Sequence, residues 1–307
     1  MNTMESRNRA ALALRNLKSL YPSDSQEIEH VEALTSKAPF FGFIDIEIED
    51  ILFSMFSNND DFVAKSYFWN GKNAYESTSL RIWSALAKKS SHIIDIGSYS
   101  GVYSLAAAQS NKKSKIYAVE ALDRVYSRLI INKKANEASN LRCFNIAMSN
   151  KNGEIELHVY SGEDILVSGS TTIAESTTRQ PCDKRLVKSV TLDQFIADQS
   201  IPRVELLKID AEGAEHHILS GGGSILRNSK PDIICELLPS SCIEEIQTQL
   251  RSIGYRYYKI SESSSTLVEH EIPPASVEPP DFNILITAKS EQELEATLPF
   301  LTFKHLS

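Results

Sequence analysis

The chain has 307 residues, 42% hydrophobic and 23% charged, the proportions of a globular protein with a substantial core. Its formal charge of −8, from 40 acids against 32 lysines and arginines, argues against a nucleic-acid-binding surface as its main purpose. No stretch reaches the roughly 20 apolar residues of a membrane span, and the N-terminus lacks the unbroken apolar core of a signal peptide.

Residues 5–20 show a helical pattern that carries Leu12, Leu14 and Leu17 and breaks at Tyr21-Pro22. A second helical pattern carries Ile28, Val31 and Leu34 and stops near Pro39. Phe40 to Phe56 mixes strand-like alternation with helix-like spacing, so its type stays open. Another helix starts near Glu76 and runs through Leu80, Trp83 and Leu86 to Lys89. Residues 1–90 therefore read as a mainly helical N-terminal appendage.

From Ser91 short apolar strands alternate with helices, the pattern of an α/β sheet covered on both faces. Strands are expected at 92–96, 115–120, 141–145, 204–210, 232–237, 254–260 and 282–288. Helices are expected at 101–110, 122–137, 192–199, 213–220 and 241–253. Residues 91–307 thus read as a mostly parallel, seven-stranded, Rossmann-like domain. An insertion, 150–191, separates the third strand from the fourth. In it Glu154–Tyr160 alternates like an edge strand, and Val187–Thr191 is placed to pair with it. The stretch 161–186 between them is rich in Ser, Thr and Gly and is expected to form a mobile lid. Residues 261–281 read as a polar excursion. Four cysteines (Cys143, Cys182, Cys235, Cys242) lack C-x-x-C spacing, and reduced thiols in a cytoplasmic protein account for them most simply.

Two constellations carry chemistry. The first runs from His92 to Leu105: an apolar strand ends at Asp95, turns on Gly97 and Gly101, and enters a small-residue helix, and a second strand ends on Glu120. In such a sheet ligands bind beyond the carboxyl ends of the strands, at the first strand-to-helix turn. Glu120 can accept both ribose hydroxyls of a nucleoside. The dinucleotide fingerprint is G-x-G-x-x-G, whereas this turn is D-x-G-x-x-x-G, with Tyr99 where a pyrophosphate needs bare backbone. A wider turn led by an acid suits the amino-acid end of S-adenosylmethionine better. The second constellation is Lys208-Ile-Asp-Ala-Glu-Gly-Ala-Glu215, at the same end of the sheet. Acids near a helix N-terminus favour its dipole, which accounts for Glu212 and Glu215 but not for Lys208 and Asp210.

Together these stretches resemble the FkbM-type S-adenosylmethionine-dependent methyltransferases, of the Rossmann-like class I fold. The resemblance runs from Tyr75-Glu76 to the last expected strand. It includes Asp95–Gly101, Ala118-Val-Glu120, Ala147-Met-Ser-Asn150, Thr191-Leu-Asp193, Lys208–Glu215, Leu219-Ser-Gly-Gly222 and Pro231–Glu236. One departure stands out: the family's turn commonly reads D-x-G-A-N-x-G, and Ser98 and Tyr99 replace Ala and Asn.

The resemblance implies that Gly97, Ser98 and Gly101 line the methionine end, with Asp95 orienting its ammonium and Glu120 holding the ribose. Asn145 to Ala147 would flank the adenine, and Glu76 would help close the pocket. Asp210 and Glu212 are the expected bases, with His216 behind them; Glu215 and Glu236, like Glu212, would grip the acceptor. Asp210, Glu212 and Glu236 are also the ligand set if the reaction uses a divalent ion, which is not the expected route. The implied activity is O-methylation of a hydroxyl on a sugar, glycan or other polyhydroxyl small molecule. An NAD-dependent sugar dehydrogenase, a non-catalytic binding protein of the same fold, and an amine or carboxylate acceptor stay open as alternatives.

Overall fold

The computed structural model describes residues 3–20, 33–35, 37–159, 170–171, 183–239, 241–274 and 280–305. Helix α1 (Met4–Lys18) starts at Thr3, whose side chain accepts from the Ser6 N–H. The stretch whose type the sequence left open is a hairpin, β1 (Phe41–Ile48) and β2 (Ile51–Asn58), paired from Phe41↔Asn58 to Ile48↔Ile51. Period-two alternation governs it. Ile44, Ile46, Ile48, Ile51, Phe53 and Met55 are buried while Phe43 and Leu52 face outward. Helix α2 (Phe62–Asn70) is capped by Asp61, and α3 (Ser77–Ala87) follows Glu76, which takes a left-handed φ of 48°. Among the described residues of 1–90, this hairpin stands beside α1, α2 and α3, so the segment is not helical throughout.

The main sheet contains nine strands rather than seven, in the order β15-β13-β12-β14-β11-β10-β3-β4-β5. All seven expected strands are present: β3 (His92–Ile96), β4 (Lys115–Val119), β5 (Leu141–Phe144), β10 (Leu206–Ile209), β11 (Asp232–Glu236), β12 (Arg256–Ser261) and β14 (Asn283–Thr287). The additions are β13 (Thr266–His270) and β15 (Thr302–His305). The expected polar excursion contains β13, which folds back on β12 from Ser261↔Thr266, and so hides half its length in an edge hairpin. The five strands β11-β10-β3-β4-β5 are parallel, and β14 runs antiparallel to both β11 and β12. Ile93, Ile94, Leu206, Leu207, Ile233 and Ile234 are fully buried, as expected for parallel strands covered on both faces.

The insertion forms its own sheet of β6 (Ala147–Met148), β9 (Asp183–Val190), β7 (Gly153–Val159) and β8 (Ser170–Thr171), in that order. The expected pairing is present, from Gly153↔Ser189 to Val159↔Asp183. Most of the segment expected to form a lid, 160–169 and 172–182, lies outside the described residues.

The covering helices are α4 (Val102–Ser110), α5 (Asp123–Ala135), α6 (Leu192–Asp198), α7 (Glu215–Ser220), α8 (Gly223–Asn228), α9 (Ile243–Leu250) and α10 (Glu291–Thr297). Among the described residues no helix is long and apolar enough to cross a membrane.

One hydrophobic core joins the N-terminal elements to the sheet: Ile44, Phe53, Leu80 and Trp83 pack with Ile93, Leu105 and Ile116. Asn132 on α5 adds a polar tie. Its Oδ1 accepts from the Phe56 N–H at 2.7 Å, and its Nδ2 donates to the Ser100 carbonyl at 2.8 Å. The hairpin and the glycine turn thus hang on one fully buried side chain. Asn132→Ala is expected to cost about 1–3 kcal/mol for each backbone group left buried and unpaired. Denaturant unfolding of the two proteins measures that difference; a loss within error would show that the tie contributes nothing.

Candidate active site

The carboxyl ends of β3, β4, β10 and β11 open into one cavity of about 290 Å³. Its walls include Asp95, Gly97, Ser98, Glu120, Ala147, Asp210, Glu212 and Glu236, so eight of the residues singled out from sequence meet there.

Asp95 and Gly97 begin the turn after β3. Asp95 is buried, and its Oδ2 accepts from the Ser104 hydroxyl at 2.5 Å, which ties the acid to the first turn of α4. Gly97 has φ 74°, and a Cβ there would lie 1.6 Å from the Asp210 carbonyl oxygen. Only glycine lets the β3 turn pass so close to the end of β10. Ser98 spends its hydroxyl on structure: it donates to the Asp95 carbonyl at 2.7 Å and accepts from the Val119 N–H at 3.0 Å. Tyr99, in the family's asparagine position, takes φ 48° and donates its N–H to Glu120 Oε2 at 3.0 Å.

Glu120 is held on both oxygens, with Oε1 accepting from the Leu122 N–H at 2.8 Å. A carboxylate has about four acceptor sites, so two remain for a diol in the cavity. Burial pushes this carboxyl up to about 7, against backbone hydrogen bonds that pull it down. Asp95 is likewise raised to about 6 by burial, with Ser104 and Lys208 opposing.

Five residues singled out from sequence do not line the cavity. Gly101 starts α4, and a Cβ there would meet the Leu129 side chain at 2.5 Å, a packing role. Asn145 donates to the Glu120 and Ala121 carbonyls, both at 3.0 Å, and so braces the end of β4; its neighbours Ile146 and Ala147 reach the cavity instead. Glu76 stands behind the wall, accepting from the Tyr103 hydroxyl at 2.6 Å, while Tyr75 and Tyr103 face inward. Glu215 folds back on its own loop and accepts from the Gly213 and Ala211 N–H groups at 2.9 and 3.2 Å. His216 lies against His217, with ring centroids 3.9 Å apart and the rings tilted by 40°.

The acidic string is organised by Lys208. This side chain is 1% exposed, yet its ammonium donates to Asp210 Oδ2 at 3.1 Å and Asn283 Oδ1 at 3.2 Å, and lies 4.9 Å from the Tyr103 ring centre. Burial alone would lower its pKa, but Asp210, Glu76 and Glu236 outweigh that and hold it well above the usual range. Burial raises Glu212 to about 7, with Asp210 and Glu215 adding to it, and pushes Glu236 well above the ordinary carboxylate range.

Lys208 was visible as a charge inside an apolar strand, without an assigned partner. Other walls carried no chemical signal: Phe62 at the start of α2, Leu122 and Val125 around α5, and Leu157 on the insertion's β7. Leu122, Val125 and Leu157 pack as one small cluster with Tyr99, which brings the insertion against the cofactor-side turn.

Comparison with known proteins fits this geometry. The methyltransferase FkbM domain model matches residues 95–257, from the end of β3 into β12. The chain belongs to the FkbM methyltransferase family. Its relatives include the 2-O-methyltransferase NoeI of Sinorhizobium fredii (strain NBRC 101917 / NGR234), 24% identical over 159 residues, which cover 49% of this chain and 65% of that protein. Methyltransferase sdnD of Sordaria araneosa is 26% identical over 156 residues, covering 42% of this chain and 59% of that protein. The chain thus spans less than two thirds of the length of either relative. Among solved structures, a methyltransferase FkbM from Methylobacillus flagellatus KT superposes with a TM-score of 0.42 and 14% identity, over 74% of this chain and 55% of that one.

A folded carboxyl that binds its proton more tightly than the unfolded one favours the fold below its ordinary pKa, and that contribution is lost as pH climbs through the folded value. For Asp95 and Glu120 the windows run from 3.8 to about 6 and from 4.5 to about 7. The ligand-free protein should therefore lose stability between about pH 4 and pH 7, and Glu120→Gln should flatten that decline. Unfolding midpoints across the range check this; an unchanged slope in Glu120→Gln would remove Glu120 as a source.

Proposed function

We propose that this protein transfers a methyl group from S-adenosylmethionine to a hydroxyl of a small polyhydroxyl acceptor, in the cytoplasm. The observation that carries the reading is Glu120, a buried carboxylate fixed by two backbone N–H groups beside the D-x-G-x-x-x-G turn, with acceptor capacity left toward the cavity. The residues present fit the cofactor. Glu120 would take the ribose diol, Asp95 the ammonium and the Gly97 turn the methionine end, and Ile146, Ala147 and Met148 would supply an apolar wall for the adenine. The three described cysteines are unpaired, in keeping with the location.

The cofactor brings an activated methyl on a sulfonium; the O–C bond forms as the C–S bond breaks, and its electron pair returns to sulfur. The chain's task is to align an acceptor oxygen with that methyl and to receive the hydroxyl proton. Glu212 is the group suited to that proton, since it lines the cavity and burial brings it to about 7, near the working pH of a general base. Asp210 is less free for the task because Lys208 holds one of its oxygens. Glu236, on the neighbouring strand tip, faces the same space and can grip the acceptor.

The oxygen-directed part of the reading draws on one relative, a 2-O-methyltransferase, and the polyhydroxyl part on the three carboxylates Asp210, Glu212 and Glu236 that line the cavity, which suit hydroxyl donors. A dehydrogenase would need its nucleotide's pyrophosphate beside bare backbone, where Tyr99 stands.

S-adenosylhomocysteine should bind and raise the melting temperature by mass action, while NAD should not. Glu120→Ala should weaken that binding by about 1.5–3 kcal/mol, the scale of hydrogen bonds to a charged group. Titration calorimetry on both proteins decides; binding of NAD without either S-adenosyl compound would sink the reading. Within it, Glu212→Gln should lower kcat by about 10²-fold or more and leave S-adenosylhomocysteine affinity near normal. Near-normal turnover of that variant on an identified acceptor would return Glu212 to a structural part.

A further inference from the structure

The cavity gathers more acidic side chains than basic ones. Its walls hold Asp95, Glu120, Asp210, Glu212 and Glu236 against one cation, Lys208. Under the proposed function the cofactor's ammonium and ribose fall to Asp95 and Glu120. Asp210, Glu212 and Glu236 remain, and one carboxylate oxygen of each lies within 4.8 Å of the others.

Lys208 does not discharge this group. Its hydrogen bonds go to Asp210 Oδ2 and Asn283, and its remaining face meets the Tyr103 ring. Among the described residues the carboxylates of Glu212 and Glu236 accept no hydrogen bond, although Glu236 is only 8% exposed and faces the cavity. A buried, unpartnered carboxylate beside two others is costly unless something positive sits between them.

A second trio makes the contrast. Glu269, Glu291 and His305 are as close together, but Arg256 donates to Glu269 at 2.7 Å, and His305 reaches both acids at 2.9 and 3.1 Å. That trio brings its own basic groups. The strand-tip trio has one basic neighbour, Lys208, which bonds to Asp210 and to neither glutamate.

We propose that Asp210, Glu212 and Glu236 bind one divalent cation of the oxygen-preferring class, Mg²⁺ or Mn²⁺, on the acceptor side of the cavity. The donor set is three carboxylates with no imidazole or thiolate, which favours hard cations over zinc. Asp210 contributes Oδ1, since Oδ2 is bonded to Lys208. Three protein oxygens leave coordination positions open toward the cavity, where an acceptor hydroxyl, or two vicinal ones, can complete the shell. An ion held there would lower the pKa of a hydroxyl bound beside it, because the developing negative charge would face a dication. This catalytic meaning rests on the methyl-transfer reading, whereas binding of the ion does not.

The test uses the full chain freed of metal with a chelator, and Mn²⁺ as the probe, followed by electron paramagnetic resonance. One Mn²⁺ per chain should be taken up and displaced by Mg²⁺. Glu236→Gln should weaken uptake about tenfold or more, because affinity follows ligand charge, and Glu269→Gln should leave it unchanged. Titration of S-adenosylhomocysteine into the same samples separates the two ideas: its binding reports on the cofactor reading whatever the manganese signal does. Should Glu236→Gln fail to fold, loss of the signal in Glu212→Gln serves in its place. Absence of stoichiometric uptake by the folded wild type, or uptake lost in Glu269→Gln and kept in Glu236→Gln, overturns the proposal.

Discussion

Burial of a single ammonium organises the functional end of this protein. Lys208 sits inside the central strand β10, where a charge is expensive, and every element around the cavity answers it. Asp210 comes from its own strand end, Asn283 from β14, the Tyr103 ring from α4, and Glu76 from the turn into α3. Glu76 in turn accepts from Tyr103, so the lysine's partners are bonded to one another. Removing the ammonium would leave these acids facing each other in a desolvated space. The strand tips keep their spacing because the charge between them is fixed.

The glycine turn is governed from the same place. Gly97 clears the Asp210 carbonyl, so the turn's path depends on where β10 ends. Ser98 then stitches β3 to β4 and Tyr99 presents its N–H to Glu120. The family's usual Ala-Asn pair is thus replaced by residues that rigidify the loop from within. The Ser98 hydroxyl joins the Asp95 carbonyl to the Val119 N–H, while the Glu120 carboxylate is held by the Tyr99 and Leu122 N–H groups.

Much of this was legible in the sequence, for reasons that can be named. The seven strands of the parallel core and its flanks were readable because each is a short run rich in apolar residues, and several, such as β3, β4, β10 and β11, end at or beside an acid. The hairpin β1–β2 was not, since Phe40–Phe56 is so densely apolar that two periods fit it; only packing against α5, through Asn132 and Asn136, selects the strand. Strands β13 and β15 lie at the edge and are half exposed, so their pattern carries little apolar signal. At the site, Asp95, Gly97, Glu120 and Asp210 line the cavity, because strand-tip and turn positions fix where the backbone places them. Glu215, Asn145 and His216 point away from the cavity because their side chains serve local backbone or pack in a helix, which spacing along the chain does not encode. Phe62 and Leu157 reach the cavity from elements distant in sequence.

The order of strands also sets how the family segment relates to the folded object. The matched region, 95–257, ends as β12 begins, yet β12 touches β11 only through β14, which the chain supplies at 283–287. At its other boundary Asp95 is the second-last residue of β3, so most of that strand lies outside the match, and the core beneath it is filled by Trp83, Leu80 and the hairpin. The unit shared by descent and the unit that can close a core are therefore different lengths of chain. Grafts or exchanges between relatives that respect the first and ignore the second would cut through a strand at one end and omit one at the other.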